Sequence, residues 1–389
     1  MAYNRKQRLN DNIKAIETAF ILDREQRTPT ARERLLLERY CGFGGLKCIL
    51  NPARELADAV HWAKSDLELF APTVELHRLI RENSKNESEY KQLMDSLKQS
   101  VLTAFYTPSA VTEALTDVLK EHQIIPEKVL EPSAGIGAFV DSVLDNNPKA
   151  DIMAFEKDLL TGKILRHLHP EQKVRIEGFE KIEKPFNDYF DLAISNIPFG
   201  DVAVFDPSYT AMKGMRALVT RRIHNYFFVK ALDTVRDGGL VAFITSQGVL
   251  NAKNNSAARF MMLYHADLVS AIRLPNNLFT ENANTEVGSD LIILQKNTQK
   301  ESLRGDDNLL DTVYNDENHI PTNNYFLEHP ERIIHTTAKL DTDPFGKPAM
   351  IYTHEDGVEG IAEDLRKMLH EDFKKNLNLN RYLGIEETM

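Results

Sequence analysis

The chain has 389 residues, 42% hydrophobic and 27% charged, which is the balance of a globular protein and not of a disordered or fibrous one. No apolar run approaches the roughly 20 residues that cross a bilayer, and the opening MAYNRKQRLN puts no apolar segment behind its charges, so neither a membrane span nor a signal peptide is expected. A formal charge of -11 argues against nucleic acid as a partner until its distribution is read: 19 acidic against 9 basic side chains lie in residues 301–389, but 11 basic against 8 acidic lie in 201–300.

Residues 1–100 predict helices. Leu9, Ile13, Ile16 and Phe20 recur at helical spacing, and so do Leu35, Leu36 and Tyr40. Thr30 with Glu33 three positions on predicts a capping box at the start of the second helix. The glycine-rich Tyr40–Leu46 then breaks the pattern. Residues 52–70 and 73–100 read as helical again, with a polar loop over Asn83–Glu89. These helices are expected to cover the sheet that follows, not to form a separate DNA-reading module. Cys41 and Cys48, the only cysteines, are expected to be inert, with no metal site and a cytoplasmic setting.

From Ser100 the pattern changes to strand and helix in alternation, which predicts a parallel α/β sheet covered on both faces. Strands are expected at Lys128–Glu131, Asp151–Glu156, Lys173–Glu177, Phe190–Ser195, Gly239–Thr245, Leu268–Leu274 and Asp290–Gln295. Helices are expected at Gly137–Leu144, Asp158–His167 and Arg221–Val235. Residues 301–389 read as polar and irregular, ending in a helix near Gly357–Phe373. The expected division is a helical region over 1–100, a catalytic domain over 101–300 and an acidic extension over 301–389.

Three strand ends carry chemistry. After the first strand come Glu131, Pro132, Ser133, Ala134, Gly135, Ile136, Gly137, Ala138 and Phe139, where glycines let the backbone approach a ligand at the carboxyl end of the sheet. The spacing is G-x-G without the third glycine of a dinucleotide fingerprint, so an ordinary tight turn is the alternative. After the second strand Glu156, beside Lys157 and about twenty residues from the glycine loop, can accept hydrogen bonds from ribose hydroxyls. After the fourth come Asn196, Ile197, Pro198 and Phe199. An Asn carboxamide oxygen and an adjacent backbone carbonyl can both accept from one amino group, and an aromatic ring can stack on a flat base.

Other residues are less specific. Between Pro207 and Asp233 there is no acidic residue, whereas Lys213, Arg216, Arg221, Arg222 and Lys230 are basic, a stretch that can meet phosphates. For Arg221 and Arg222 a solvated helix face is the equal alternative. His224 and Asn225 precede the aromatic run Tyr226–Phe228, which reads more simply as a helix packing its rings inward. His122, His167 and His169 have no metal-ligand spacing.

Together the three motifs resemble the amino-group DNA methyltransferases of the adenine-specific class. Glu131–Phe139 is similar to the family's D/E-P-x-A-G-x-G-x-F donor loop, Glu156 to its acidic residue after the second strand, and Asn196–Phe199 to its N-P-P-F signature. Ala104–Pro108 resembles the upstream motif whose Thr-Pro segment helps hold the methionine end of the methyl donor, here Tyr106, Thr107 and Pro108. Gly178, Phe179 and Glu180 fall where the family contacts the cofactor adenine, and Asp237–Phe243 is similar to the strand entry after the catalytic motif. Tyr40–Leu46, Asn196–Asp206, His224–Phe228 and Ala271–Pro275 resemble the methylase part of large bacterial mobile-element methylase–helicase proteins. The resemblance implies a Rossmann-like, mostly parallel seven-stranded sheet, S-adenosyl-L-methionine as cofactor, and DNA as substrate. It also implies a helicase or restriction enzyme as candidate partner, since no helicase motifs occur in the chain.

One position departs from the signature: Ile197 stands where the family has the first proline. Ile supplies the same backbone carbonyl, and Pro198 biases it toward extended conformations. The departure leaves open a catalytically silent DNA- or partner-binding subunit. Planar amides also suit the motif, so an RNA base or a protein glutamine is a further alternative. Protein-glutamine enzymes usually carry Tyr where Phe199 stands.

Overall fold

In the computed structural model, which describes residues 4–103, 106–212, 214–280, 286–303, 307–314, 319–343 and 346–385, seven strands beyond residue 127 join one sheet. They are β1 (Lys128–Glu131), β2 (Asp151–Phe155), β3 (Lys173–Arg175), β4 (Phe190–Asn196), β5 (Val235–Ser246), β6 (Ala266–Leu274) and β7 (Ser289–Lys296), in the spatial order β3-β2-β1-β4-β5-β7-β6. Pairing is parallel from β3 across to β5, while β7 runs antiparallel between β5 and β6. Every residue of β7 is buried, as expected of a strand covered on both faces. The chain steps outward from β1 to β3, then returns to place β4 on the other side of β1. That reversal opens a crevice beyond the carboxyl ends of β1 and β4.

The principal helices are α1 (Arg5–Glu25), α2 (Ala31–Leu37), α3 (Phe70–Glu82), α4 (Glu87–Thr103), α5 (Ser109–Glu121), α6 (Ala138–Asn146), α7 (Leu159–Leu168), α8 (Ile223–Thr234), α9 (Ser256–His265) and α10 (Gly357–Asn376). On one face of the sheet, Leu115 and Val118 of α5, Val140 of α6, and Leu365 and Phe373 of α10 pack with Val129, Ile152, Leu192 and Ile194. Tyr226 and Phe228 of α8 and Met262 of α9 pack on the opposite face with Leu130, Ala193 and Phe243. The acidic segment is thus not a loose appendage, because its helix α10 contributes Ile361, Leu365, Leu369 and Phe373 to the first of these cores.

The N-terminal helices differ from expectation in what they cover. They pack on α7, whose Leu160, Ile164 and Leu168 join Leu9, Ile16, Leu76 and Leu97 in a third core. Asp23 of α1 fixes this docking by pairing with Lys163, Arg166 and His167. The predicted capping box is present: Glu33 N–H donates to Thr30 Oγ1 at 3.3 Å and Thr30 N–H to Glu33 Oε2 at 2.8 Å. In that helix Leu37 is buried and Leu35 is 60% exposed, so the apolar face is rotated from the one read in the sequence. Residues 52–70, expected as helix, form the 3-10 turns Leu56–His61 and Lys64–Leu69. Two short hairpins occupy the stretch read as irregular, β8 (Thr312–Tyr314) with β9 (Pro321–Asn323) and β10 (Thr337–Thr342) with β11 (Pro348–Thr353). Every position of β10 is exposed, so it lacks the apolar alternation that marks a strand in sequence.

Candidate active site

The carboxyl ends of β1, β2 and β4 bring the three motifs to one edge. Glu131 closes β1, Glu156 follows β2, and Asn196 closes β4. The glycine loop is tied to its neighbour strand twice: Ala134 N–H donates to the Phe155 carbonyl at 2.8 Å, and Gly135 N–H to Glu156 Oε2 at 2.8 Å. The other Glu156 oxygen accepts from Asp158 N–H at 2.7 Å. Burial, reinforced by the Asp158 carboxylate, pushes Glu156 up to about 7, against the pull of these backbone donors. With Lys157 N–H as a third backbone donor, the carboxylate still has lone-pair capacity for an incoming hydroxyl.

Glu131 is the more unusual group. It is 2% exposed, and neither carboxylate oxygen is in hydrogen-bonding geometry with a donor among the described residues. Burial drives its pKa well above the ordinary carboxylate range, with the nearby Ser195 hydroxyl and Ser133 N–H only softening the effect. Native proteins rarely leave such a group unpaired, and the exceptions ask for a ligand. A buried and a half-buried carboxylate flanking a glycine turn form a place that favours donors and positive charge.

The turn itself leaves no room for side chains. Gly135 has φ +57°, and a Cβ there would stand 2.8 Å from the Tyr106 ring. Gly137 has φ +92°, and its Cβ would meet His169 Nε2 at 2.7 Å and Leu165 Cδ1 at 2.8 Å. The Tyr106 hydroxyl lies 3.5 Å from Thr161 Oγ1, while Thr107 is buried with its hydroxyl unpaired among the described residues. Tyr106, Thr107 and Pro108 line a cavity of about 490 Å³ together with Ile136, Ala138 and Asp141. Glu156 and Asn196 are not on that wall.

At the end of β4 the ladder continues past Asn196, because Ile197 N–H donates to the Ile244 carbonyl at 3.0 Å. The Ile197 side chain is buried in the core beneath, with Tyr226 and Phe227. Asn196, Pro198 and Phe199 are half-buried, and the Phe199 ring meets Phe279 edge-on at 6.3 Å. Ser195 Oγ donates to the Ser133 carbonyl at 3.4 Å, linking this motif to the donor loop.

Several expected residues sit elsewhere. Phe139 lies in the core of the first face, and Phe179 packs against Phe155, Tyr226 and Phe227, so neither ring is open to a ligand. Pro132 is buried as well, whereas Glu180 stays half-exposed and folds over Gly178, 3.9 Å from exposed Lys157. Lys213 and residues 104–105 lie outside the described residues. The basic stretch is mostly neutralised. Arg216 pairs with Asp233 at 2.6 Å, Arg222 with Asp201 at 2.6 Å, and Lys230 with buried Asp206 at 3.1 Å. Arg221 is exposed. Aspartates at the borders of the acid-free stretch therefore claim the cations that the sequence assigned to phosphate.

Sequence reasoning missed residues that brace the site from a distance. Asp158 caps α7 through Thr161 N–H at 2.7 Å and accepts from Ser96 Oγ at 2.6 Å, which ties α4 to the strand end carrying Glu156. The Tyr40 hydroxyl reaches Thr161 Oγ1 at 3.2 Å. Asp158 before an apolar helix is a visible cap signal; nothing local announces Ser96 or Tyr40.

The family model described as N-6 DNA Methylase matches residues 88–388. Among curated proteins, the chain is 29% identical over 201 residues to the Defense against restriction protein B of Escherichia phage P1, covering 50% of this chain and 8% of that protein. It is 25% identical over 173 residues to the Type II methyltransferase M.XamI of Xanthomonas campestris pv. amaranthicola, covering 41% of this chain and 33% of the enzyme. The chain thus spans a third or less of the length of these relatives. Among solved structures it is similar to the Type I restriction enzyme EcoKI M protein, with 14% identity, TM-score 0.43, and coverage of 99% of this chain and 94% of that one. It is also similar to the Type ISP restriction-modification enzyme LlaBIII bound to DNA, with 13% identity, TM-score 0.41, and coverage of 95% and 28%.

Proposed function

The chain belongs to the N-6 DNA methylase family, and from that premise we propose that it transfers the methyl group of S-adenosyl-L-methionine to the exocyclic N6 amine of adenine in DNA. The observation that carries the reading is the placement of Asn196 at the end of β4, beside the β1 loop whose Gly135 is bonded to Glu156. The residues present fit the cofactor. Glu131 has two buried, unpaired acceptor oxygens, Glu156 has spare lone pairs, and the Gly135–Gly137 turn is packed so closely on Tyr106, Leu165 and His169 that only glycine fits at its two ends. When bound, the cofactor supplies an electrophilic methyl on a cationic sulfur, which the carboxylates of Glu131 and Glu156 favour electrostatically in their ionised forms. Glu156 would hold ribose hydroxyls, and Glu131 with Thr107 would take donors from the methionine end.

The chain's own residues then handle the base. The target adenine, extruded from the duplex, stacks on Phe199. Asn196 Oδ1 and the Ile197 carbonyl accept from its two N6 hydrogens and aim the nitrogen lone pair at the methyl. Positioning and preorganised acceptors provide the rate, without a covalent enzyme intermediate. A restriction enzyme or helicase as partner belongs to this proposal.

The test is transfer of tritiated methyl from S-adenosyl-L-methionine to unmethylated duplex DNA, with Asn196→Ala as control. Label on adenine with the wild type alone supports the reading. Cofactor binding without label on DNA, together with label on RNA or a protein glutamine, would overturn it. Normal labelling by Asn196→Ala would remove Asn196 from its assigned role.

A further inference from the structure

Residues 201–222 join the Asn196–Phe199 motif to α8, and both ends of this connection are clamped. Arg222 Nε donates to Asp201 at 2.6 Å, and Val204 N–H donates to the Thr220 carbonyl at 2.8 Å. Asp206, 3% exposed, accepts from the Tyr226 hydroxyl at 2.7 Å and from Lys230 at 3.1 Å. Tyr209 and Arg216 both bond to Asp233 at the far end of α8.

Within this anchored connection the usual polarity is inverted. Asp206 and Tyr209 are turned inward, while Phe205 is 78% exposed, Val202 61%, Met215 44% and Leu218 41%. A clamped backbone that buries an aspartate and presents the adjacent phenylalanine to solvent marks a surface that something covers.

Charge and position favour one occupant. The acids bordering this face are neutralised, Asp201 by Arg222, Asp206 by Lys230 and Asp233 by Arg216, and exposed Arg221 stands at its edge. A polyanion therefore meets no uncompensated negative charge from these acids. The connection follows Phe199 directly in the chain, so its exposed side chains sit on the segment that leaves the base-holding motif. Removing a base from the stack leaves an apolar slot between two base faces, which an aromatic wedge fills.

We propose that Phe205 enters the DNA duplex at the gap left by the extruded adenine, with Val202, Met215 and Leu218 lying against the opened step. This rests on the reading of the chain as an adenine methyltransferase.

The experiment uses the full chain, with Phe205→Ala and Phe205→Trp, on unmethylated duplex DNA and on the same DNA made single-stranded. Phe205→Ala should lower kcat/KM on duplex by roughly ten- to a hundredfold and leave single-stranded DNA nearly unaffected, since no stack has to be opened there. S-adenosyl-L-methionine affinity should stay at the wild-type value. Phe205→Trp should keep duplex activity, and its emission should be quenched on adding duplex. The single native tryptophan, Trp62, is buried among the N-terminal helices and supplies a constant background. Equal losses on both substrates, or emission unmoved by saturating duplex, would overturn the wedge and leave the face to a protein partner. Quenching without any methyl transfer by the wild type would support the wedge while sinking the adenine reading, so the two failures are told apart.

Discussion

Gly135 N–H and Glu156 Oε2 are 2.8 Å apart, so the loop after β1 is fastened to the residue after β2. The bond orients a carboxylate that burial and the neighbouring Asp158 push up to about 7. Glu156 is therefore mostly protonated below pH 7 and ionised above it. Hydroxyl donors bond more strongly to the ionised form, so cofactor affinity should fall as pH drops through 7, by up to about tenfold per unit. Calorimetric titration at pH 6, 7 and 8 reads this directly. Glu156→Gln should bind weakly at pH 8 and show a flatter profile. A wild-type profile flat from pH 6 to 8 would remove Glu156 from cofactor binding.

The two glycines of the donor loop should fail differently when given a side chain. At Gly137 an added Cβ meets buried His169 and Leu165 at φ +92°, so Gly137→Ala should cost about 1–3 kcal/mol of stability. At Gly135 the obstacle is the half-buried Tyr106 ring, which lines the cavity. Gly135→Ala should lose cofactor affinity with a smaller change in Tm. Thermal melts with and without S-adenosyl-L-methionine separate the two, and equal melting losses would contradict the distinction.

Ile197 is adapted to this chain in a way that the family proline is not. Its N–H closes the ladder to Ile244, and its side chain fills the core beside Tyr226. Restoring the signature with Ile197→Pro should therefore destabilise the protein by about 1–3 kcal/mol through the lost bond alone, with lost packing added. Ile197→Ala keeps the N–H and the carbonyl; it should lower Tm yet retain methyl transfer per folded molecule. Loss of transfer by well-folded Ile197→Ala would show that the side chain does more than pack.

The parallel strands other than β3 were legible because each contains a short apolar run, and each strand-end motif is contiguous in sequence. What escaped was relational. Whether Leu35 or Leu37 faces inward depends on α7, more than a hundred residues away, and β10 is exposed throughout. The basic stretch read as a phosphate surface because Asp201, Asp206 and Asp233 lie at its borders in sequence and fold back on it in space. A count of charges along the chain cannot see that pairing.

That pairing makes a final prediction about two arginines, Arg216 and Arg221, that lie close together in sequence. Arg216 is half-buried, bidentate to Asp233, and bonded to the Tyr209 hydroxyl. Arg216→Ala would leave Asp233 without its cation, and should cost about 1–3 kcal/mol of stability while the salt dependence of DNA binding keeps its slope. Arg221 is exposed, so Arg221→Ala should change stability by less than about 0.5 kcal/mol. If Arg221 meets a phosphate, its loss weakens DNA binding across sequences and lowers the slope of log K against log salt by about one. Chemical denaturation together with DNA titrations at several salt concentrations reads both quantities. An Arg216→Ala protein of wild-type stability with a reduced salt slope would reverse the assignment and return Arg216 to the DNA surface.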